Sequence, residues 1–228
     1  FGFFFPDAQG RLTYTSLADS LPERHRAFDE TWSVYVDHEK VYFCTFSNIY
    51  LYNNRDFAVS VAPHPIELSF LVNRQLFVSS REAGITVVEG RSFRPLNGGH
   101  FFKNNSVSAV LPFNADELLI STFNHGIFKL TQGAIQPWNR VRQQYLKEAI
   151  VNCMLRLRNG NVAVGTQNNG LVILSPSGDI LMELTTGRGL NNRTVLNIYE
   201  DDLNNLWIGQ NNGIAYVELG SPFTFINE

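Results

Sequence analysis

Short apolar segments alternate with polar turns along the whole chain. In the clearest case, VNCMLRL (151–157) alternates apolar and polar residues, and NVAVGT (161–166) follows a tight RNG turn; GLVILS and DILMEL (179–184) complete a set of four segments. Period-two alternation bounded by turn residues is typical of β-strands. This segment therefore predicts four antiparallel strands joined by short turns.

Other parts of the chain repeat this order of strands. They are WSVYV, KVYFCTF, IYLYN and DFAVSV; IELSFLV, QLFVSS, GITVVE and SFRPL; and SVSAVLPF, ELLIST, GIFKL and AIQPW. FGFFF and RLTYTSL are interpreted as the last two strands of another unit, and SPFTFINE is expected to start a closing strand. Only HRAFDETW and QQYLKEAI have helical spacing, and both fall in connections where a single turn would fit.

The second and third segments of each set form a sequence repeat. LWIGQNNGIAYVEL at residue 206 matches VAVGTQNNGLVIL at 162, LLISTFNHGIFKL at 118, LFVSSREAGITVV at 76 and, more loosely, VYFCTFSNIYLY at 41. Gly84, Gly126, Gly170 and Gly213 are 42, 44 and 43 residues apart. Periods of about 40 to 50 residues are typical of four-stranded propeller blades.

We therefore predict an all-β fold, a β-propeller of four-stranded antiparallel blades. About five blades are expected, with partial blades at the ends. The approximate repeats are 1–15, 32–61, 66–96, 106–138, 151–184 and 194–228.

Composition narrows the function classes. Charged residues make up only 17% of the chain, the net charge is −3 and the pI is near 6.0, so no basic field favours nucleic-acid binding. The chain has no run of about 18 apolar residues, so no membrane span is predicted. Cys44 and Cys153 lie within predicted strands, which favours buried thiols over a disulfide between them. Because the chain begins at Phe1 without a signal-like segment, we expect it to be an excised piece of a longer protein.

The candidate binding residues lie at one end of the predicted blades. In strands that run up, down, up and down, the turn between the second and third strands shares a face with the connection to the next blade. This face, the loop face, includes Ser47 and Asn48, Arg81 and Glu82, and the longer connections NGGHFFKNN (97–105) and TGRGLNNR, which ends at Arg193. Amide-rich loops on a rigid scaffold suit neutral polyols. The candidate ligand-binding residues are Asn124, His125, Asn168, Asn169, Arg188, Arg193, Asn211 and Asn212.

Structural explanations compete with each of these assignments. An asparagine before glycine readily takes the left-handed conformation of a tight hairpin, and His125 replaces Asn in such a turn. Trp207, in the middle of a strand, is expected to fill space between neighbouring blades rather than stack on a sugar. Trp32 and Trp138 lie nearer a rim, and Trp138 with Arg140 and Arg142 is a candidate partner surface.

Catalytic chemistry is not indicated. The five histidines are scattered without HExxH or CxxC spacing, so neither a metal nor a cofactor is predicted. No GxSxG motif is present. The adjacent carboxylates Asp201 and Asp202 fall in a predicted turn on the opposite face, where a solvated turn is the favoured interpretation. First strands, which line the channel of a propeller, contribute mostly apolar residues besides Asn152 and Asn197, so a lyase or glycosidase is the least favoured class.

Residues 189–219, GLNNRTVLNIYEDDLNNLWIGQNNGIAYVEL, resemble the two-component regulator propeller repeat. The family pattern has a Gly-Leu-x-Asn lead-in, a strand that ends in Glu-Asp, a turn, Leu-Trp-Ile-Gly and an Asn/Gly turn. The matching residues are Gly189, Leu190, Asn192, Glu200, Asp201, Asn205, Leu206, Trp207, Ile208, Gly209, Asn212 and Gly213. Residues 150–174 match in Val164 and Gly165 but have no tryptophan, and the first three repeats are degenerate.

The resemblance implies a sensor input module of a large extracytoplasmic receptor. Such receptors of Bacteroidetes often follow the propeller with a three-tyrosine domain, a membrane helix, and a histidine kinase or DNA-binding output. The opening FGFFFPDAQGRLTYTSL is similar to the subset with a helix-turn-helix output. The resemblance also implies a periplasmic location, a parent protein anchored in the inner membrane, seven blades rather than five, and an association with polysaccharide breakdown products.

Two functions stay open. The first is a non-catalytic ligand-sensing propeller of a signal-transduction or transcription regulator, whose partners are an oligosaccharide or other small ligand and the neighbouring domains. The second is a propeller for protein contacts or homodimerisation, without a small-molecule ligand.

Overall fold

The structure, a computed structural model of the 228-residue chain, describes residues 1–139 and 142–220. The chain divides into two compact units, Phe1–Pro95 and a second that begins at Leu96. Both units are built from antiparallel sheets in which strands adjacent in sequence pair with one another. Within the described residues, no helix is long and apolar enough to cross a membrane.

The first unit contains a hairpin and two four-stranded sheets. The hairpin strands are β1 (Gly2–Pro6) and β2 (Leu12–Ser16). The next sheet consists of β3 (Ser33–Asp37), β4 (Lys40–Cys44), β5 (Asn48–Tyr52) and β6 (Phe57–Val61). The last consists of β7 (Leu68–Val72), β8 (Gln75–Ser80), β9 (Gly84–Glu89) and β10 (Ser92–Pro95). Short 3₁₀ turns occur at Ala18–Ser20 and Glu23–His25.

The second unit contains two four-stranded sheets and one three-stranded sheet. A 3₁₀ turn at Gly99–Phe102 precedes β11 (Val107–Asn114), β12 (Glu117–Thr122), β13 (Gly126–Thr131) and β14 (Ala134–Pro137). Helix α1 (Gln143–Ala149) leads into β15 (Val151–Arg156), β16 (Val162–Thr166), β17 (Leu171–Leu174) and β18 (Ile180–Leu184). The three-stranded sheet consists of β19 (Val195–Glu200), β20 (Leu206–Gln210) and β21 (Gly213–Val217).

The predicted strand order is observed, including the N-terminal pair of strands. Of the two segments with helical spacing, QQYLKEAI forms the seven-residue helix α1, whereas HRAFDETW is helical only at its first residue, where the 3₁₀ turn ends. The predicted closing strand SPFTFINE lies outside the described residues.

Apolar side chains from facing sheets form the core of the second unit. Leu119 and Ile127 of the β11–β14 sheet pack with Val162 and Val164 of the β15–β18 sheet. The β15–β18 sheet also packs through its other side, where Ala163 contributes to a second cluster. In this second cluster, the β19–β21 sheet contributes Ile198, Leu206 and Ile208. The central sheet of this unit is therefore apolar on both faces, and both faces are covered.

The two cysteines are free thiols, as the strand pattern favours. Cys44 is buried in a cluster with Ile49 and Leu76. Cys153 packs beside the cluster that contains Ala163. Burial raises the pKa of the Cys44 thiol to about 11 and that of Cys153 to about 12. Both thiols stay protonated and act as small apolar side chains.

Two equivalent glycines test how tightly the sheets of the second unit pack. A Cβ atom on Gly165 would lie 2.5 Å from the Cys153 sulfur and 2.6 Å from Val195 Cγ1, whereas one on Gly209 would have its nearest neighbour at 3.7 Å. We expect Gly165→Ala to destabilise the chain by about 1–3 kcal/mol because of overpacking, which lowers Tm by roughly 2–10 °C. Gly209→Ala is the matched control and should leave Tm within about 1 °C. Thermal unfolding followed by circular dichroism measures both; equal effects would contradict the packing described here.

Candidate functional site

Buried threonines define the turns of the loop face. Thr166, at the end of β16, accepts a hydrogen bond on Oγ1 from the Asn169 backbone N–H at 2.9 Å and donates one to the Gly170 carbonyl at 2.9 Å. Thr122, at the end of β12, does the same with His125 and Gly126 at 3.0 and 3.2 Å. Since both threonines are at most 1% exposed, these bonds are shielded from water and fix the turn that follows.

Glycine, not asparagine, takes the left-handed conformation in these turns. Gly126, Gly170 and Gly213 have φ angles of +86°, +73° and +128°, and the asparagines before Gly170 and Gly213 do not have positive φ. The prediction that Asn adopts this conformation is therefore wrong. At Gly126 and Gly170, the turn chemistry instead combines a glycine with the preceding threonine hydroxyl.

Helix α1 connects two neighbouring turns of the loop face. The Gln143 side-chain amide donates to the His125 carbonyl at 2.7 Å. At the other end of the helix, the Asn168 side-chain amide donates to the Glu148 carbonyl at 3.2 Å, and the Asn168 backbone N–H donates to the Ala149 carbonyl at 3.2 Å. The side-chain amide of Asn168 thus has a structural role, and its oxygen and its second N–H remain available to a ligand.

The connection between β18 and β19 joins the next two turns in the same way. The Gly170 N–H donates to the Arg193 carbonyl at 2.8 Å, and the Thr194 hydroxyl donates to the Gln167 carbonyl at 2.9 Å. On the following strand, the Gln210 amide donates to the Asn192 carbonyl. These bonds run in order from the His125 turn through helix α1, the Asn168 turn and the β18–β19 connection to Gln210. Together they form one hydrogen-bonded band across the loop face of the second unit.

The predicted candidate residues lie on this band or beside it. Seven of the eight are exposed: Asn124, His125, Asn168, Arg188, Arg193, Asn211 and Asn212. Asn169 is half-buried. Helix α1 brings the turn of Asn124 and His125 together with Asn168, and the backbone bond from Gly170 to Arg193 brings Arg193 to the turn of Asn168 and Asn169.

Two groups on the loop face were missed by the sequence analysis. Gln210 occupies the position of Thr122 and Thr166, is 7% exposed, and its Oε1 has no hydrogen-bond partner among the described residues. The substitution of glutamine for threonine in an otherwise regular repeat was the available signal. Near Asn169, the Tyr145 hydroxyl donates to Glu183 Oε1 at 2.7 Å, and burial, with the Glu183 carboxylate, raises the pKa of Tyr145 to about 12.

Polar groups elsewhere in the second unit have structural partners. In the first strands, Asn152 donates to the Val195 carbonyl at 3.1 Å, and Asn197 Oδ1 accepts from the Ile198 N–H at 2.9 Å. Asp201 Oδ1 accepts from the N–H groups of Leu203 and Asn205, each at 2.9 Å. Over residues 1–139 and 142–220, no group of three or more His, Cys, Asp or Glu side chains could hold a metal ion.

The tryptophans do not all lie where the pattern predicts. Trp207 is in the middle of β20, but the expectation that it packs between neighbouring blades is not met, because its side chain is 45% exposed. Trp138 packs against Phe113 and donates from Nε1 to the Pro176 carbonyl at 3.3 Å, so this residue of the candidate partner surface is partly buried against the core, whereas Arg142 is exposed. Arg140, also assigned to that surface, lies outside the described residues. Trp32 is exposed beside Phe46.

Comparison with solved structures establishes the fold class. The extracellular domain of the proposed hybrid two-component system BT4673 from B. thetaiotaomicron is similar with a TM-score of 0.68 and 18% identity, over 91% of this chain and 29% of that one. The extracellular domain of the proposed hybrid two-component system BT3049 from the same organism is similar with a TM-score of 0.53 and 16% identity, over 91% of this chain and 36% of that one. The WD40 propeller domain of Doa1 is similar with a TM-score of 0.65 and 11% identity, over 83% of this chain and 64% of that one. The chain therefore has the predicted all-β, β-propeller fold.

The sequence comparison identifies one repeat. Residues 189–212 match the family described as the two-component regulator propeller, which confirms the resemblance predicted from Gly189 to Gly213. No curated protein matches the chain. The chain spans about a third of the length of the two bacterial extracellular domains to which it is similar.

The buried threonine in the turn can be tested by an isosteric change. We expect Thr166→Val to cost about 1–3 kcal/mol because the half-buried Asn169 N–H loses the acceptor that the buried Thr166 hydroxyl supplies. Hydrogen exchange at the Asn169 amide should accelerate. Thr166→Ser keeps the hydroxyl and should preserve slow exchange at this amide; acceleration in both variants would show that the hydroxyl does not hold the turn.

Proposed function

We propose that this propeller is the non-catalytic, ligand-sensing segment of a bacterial signal-transduction or transcription regulator. Support comes from the two-component regulator propeller repeat at residues 189–212 and from the similarity to extracellular domains of proposed two-component systems. A periplasmic location of a receptor anchored in the inner membrane follows from the same proposal. The observation that carries a binding role is the hydrogen-bonded band that presents candidate polar residues on one face of the second unit.

The chemistry of this face favours a neutral, hydroxyl-rich ligand such as an oligosaccharide from polysaccharide breakdown. Exposed amides at Asn124, Asn211 and Asn212 supply both donors and acceptors, and Arg193 adds a fork of donors. A hydroxyl group needs both a donor and an acceptor nearby, and this set provides them without a strong field of one sign. The backbones of the turns that follow Thr122 and Thr166 are held by buried hydroxyls, so at these two turns a ligand would meet groups that are already in place.

Sensing requires that binding at this face changes a conformational equilibrium. Helix α1 and the β18–β19 connection each bond to two successive turns, so a ligand across these turns would contact more than one sheet. Such a ligand favours the arrangement in which both sets of contacts are made. The shift in the receptor can be no larger than the difference in the ligand's affinity for the two arrangements.

A panel of neutral oligosaccharides derived from starch, xylan and mannan tests this role by thermal shift. A ligand present at 100 times its Kd should stabilise the chain by about 2.7 kcal/mol and raise Tm by roughly 5–10 °C. Chromatography of the same mixtures should show no shortened product. Turnover would replace the sensor with an enzyme, and the absence of any shift would favour a propeller for protein contacts or homodimerisation.

Substitutions then locate the site. His125→Ala, Arg193→Ala and Asn212→Ala, made singly, should each weaken binding of the responding oligosaccharide by about two- to tenfold, the effect of losing one hydrogen bond. Asp116→Ala, in the exposed turn between β11 and β12 at the opposite face, is the matched control and should leave Kd unchanged. Isothermal titration calorimetry measures each Kd. A control that weakens binding as much as the loop-face variants would move the site away from this face.

A further inference from the structure

Two aromatic side chains are exposed on the loop face of the first unit. Trp32 directly precedes β3 and is 60% exposed, and Phe46 lies in the turn between β4 and β5 and is 39% exposed. The centroids of their rings are 5.2 Å apart, and the ring planes are tilted by 58°. We call Trp32 and Phe46 the aromatic pair.

The same two positions in the next sheet carry an ion pair. The strand pairings make Glu67, directly before β7, equivalent to Trp32, and Arg81, directly after β8, equivalent to Phe46. Arg81 Nε donates to Glu67 Oε1 at 3.0 Å. In the second unit, the residues directly before the first strands are Ser106, Ile150 and Thr194. The repeat itself therefore does not require a tryptophan at this position.

Backbone hydrogen bonds hold the aromatic pair beside the ion pair. The N–H of Ile66, the residue before Glu67, donates to the Phe46 carbonyl at 2.7 Å. The Trp32 N–H donates to the Cys44 carbonyl at 3.0 Å, which fixes the backbone that carries the exposed ring. A ligand would therefore meet groups whose backbones are already in place.

The aromatic pair and Glu67 border a small cavity between the two sheets. Ile66 and Ser69 are among the other residues that line it. Its volume is about 10 Å³, which is room for about one water molecule. A sugar ring cannot enter this cavity, but a single hydroxyl group can. A ring bound here would therefore lie outside it, against the exposed part of the aromatic pair.

The charge balance favours a neutral ligand with hydroxyl groups over a cation. The Glu67 carboxylate already lies against the Arg81 guanidinium, so the two charges offset each other. A guanidinium has five N–H donors, and the Arg81 side chain is 68% exposed, so it can donate to a hydroxyl group while it stays bonded to Glu67. The aromatic pair provides the apolar surface that the C–H face of a pyranose needs.

We infer that the aromatic pair and the Glu67–Arg81 ion pair form a sugar-binding subsite in the first unit, in which a neutral pyranose ring stacks on Trp32. Hydroxyl groups at the edge of the ring bond to Arg81 and Glu67, and one hydroxyl group fills the cavity. The inference rests on the proposed sensing function for the source of the sugar. It uses none of the candidate residues, which all lie in the second unit.

Fluorine NMR on the 228-residue chain labelled with 5-fluorotryptophan tests the subsite directly. The chain has three tryptophans, and the signal that Trp32→Phe removes belongs to Trp32. At least one of maltohexaose, xylohexaose and mannohexaose should shift this signal saturably. The signal of Trp207, an exposed ring in the middle of β20, should not move. If none of the three sugars shifts the Trp32 signal at millimolar concentration, the inference is overturned.

Substitutions identify the contacts of the hexasaccharide that responds. Trp32→Ala should weaken binding by about tenfold or more because the stacking surface is lost, and Arg81→Ala should weaken it by about two- to tenfold through the loss of hydrogen bonds. Trp32→Phe keeps an aromatic face and should retain most of the affinity. Trp207→Ala removes an exposed tryptophan outside the subsite and is the matched control. Isothermal titration calorimetry measures each Kd.

The outcomes separate this subsite from the candidate residues of the second unit. Binding that Asn212→Ala weakens and Trp32→Ala does not would overturn the inference and leave the proposed function in place. Equal losses in Trp32→Ala and Trp207→Ala would also overturn it, because the effect would not be specific to the subsite. A shift of the Trp32 signal with shortened sugar products would support the subsite and replace the sensor with an enzyme.

Discussion

Face-to-face packing of apolar sheets is the constraint on which the second unit depends. The β15–β18 sheet has Val162 and Val164 on one side and Ala163 and Ile173 on the other, and each side is buried against a different neighbour. A sheet that is apolar on both faces is stable only between two others, since either face left in water would forfeit its hydrophobic contribution. Each repeat therefore depends on the next for its own stability, as in other repeat architectures.

This packing also explains where polar chemistry can be placed. Both faces of the β15–β18 sheet are occupied by contacts with neighbouring sheets, so the turns and connections at its strand ends are where polar groups can meet a ligand. There, the buried hydroxyls of Thr122 and Thr166 fix the two turns that follow them, and helix α1 forms hydrogen bonds with both turns. Apart from Asn168, whose amide bonds to helix α1, the loop face can consequently carry exposed amides and Arg193 on a backbone that is held by other groups.

The strands and the fold class were predictable because they depend on local pattern. Alternation set the strands, and the glycines at 84, 126, 170 and 213 set the period of the blades. The location of the candidate residues at the turns followed from the same pattern, and the exposure of seven of them agrees with it. Their partners were not predictable, because the bonds of Asn168 to Glu148 and of Gln143 to His125 depend on how a connection lies across a turn. The left-handed residue was misassigned to asparagine, since in both Asn-Gly turns the glycine, which has no Cβ, takes the positive φ.

Trp207 shows most clearly the limit of reasoning from one repeat. Its mid-strand position predicts a buried ring, and the equivalent Ala163 is buried, yet Trp207 is 45% exposed because no described sheet lies against it. Burial of a residue in a propeller is a property of two adjacent repeats, whereas the sequence pattern describes one. The large ring stands where the preceding repeat has alanine, so the same position of the repeat carries side chains of very different size.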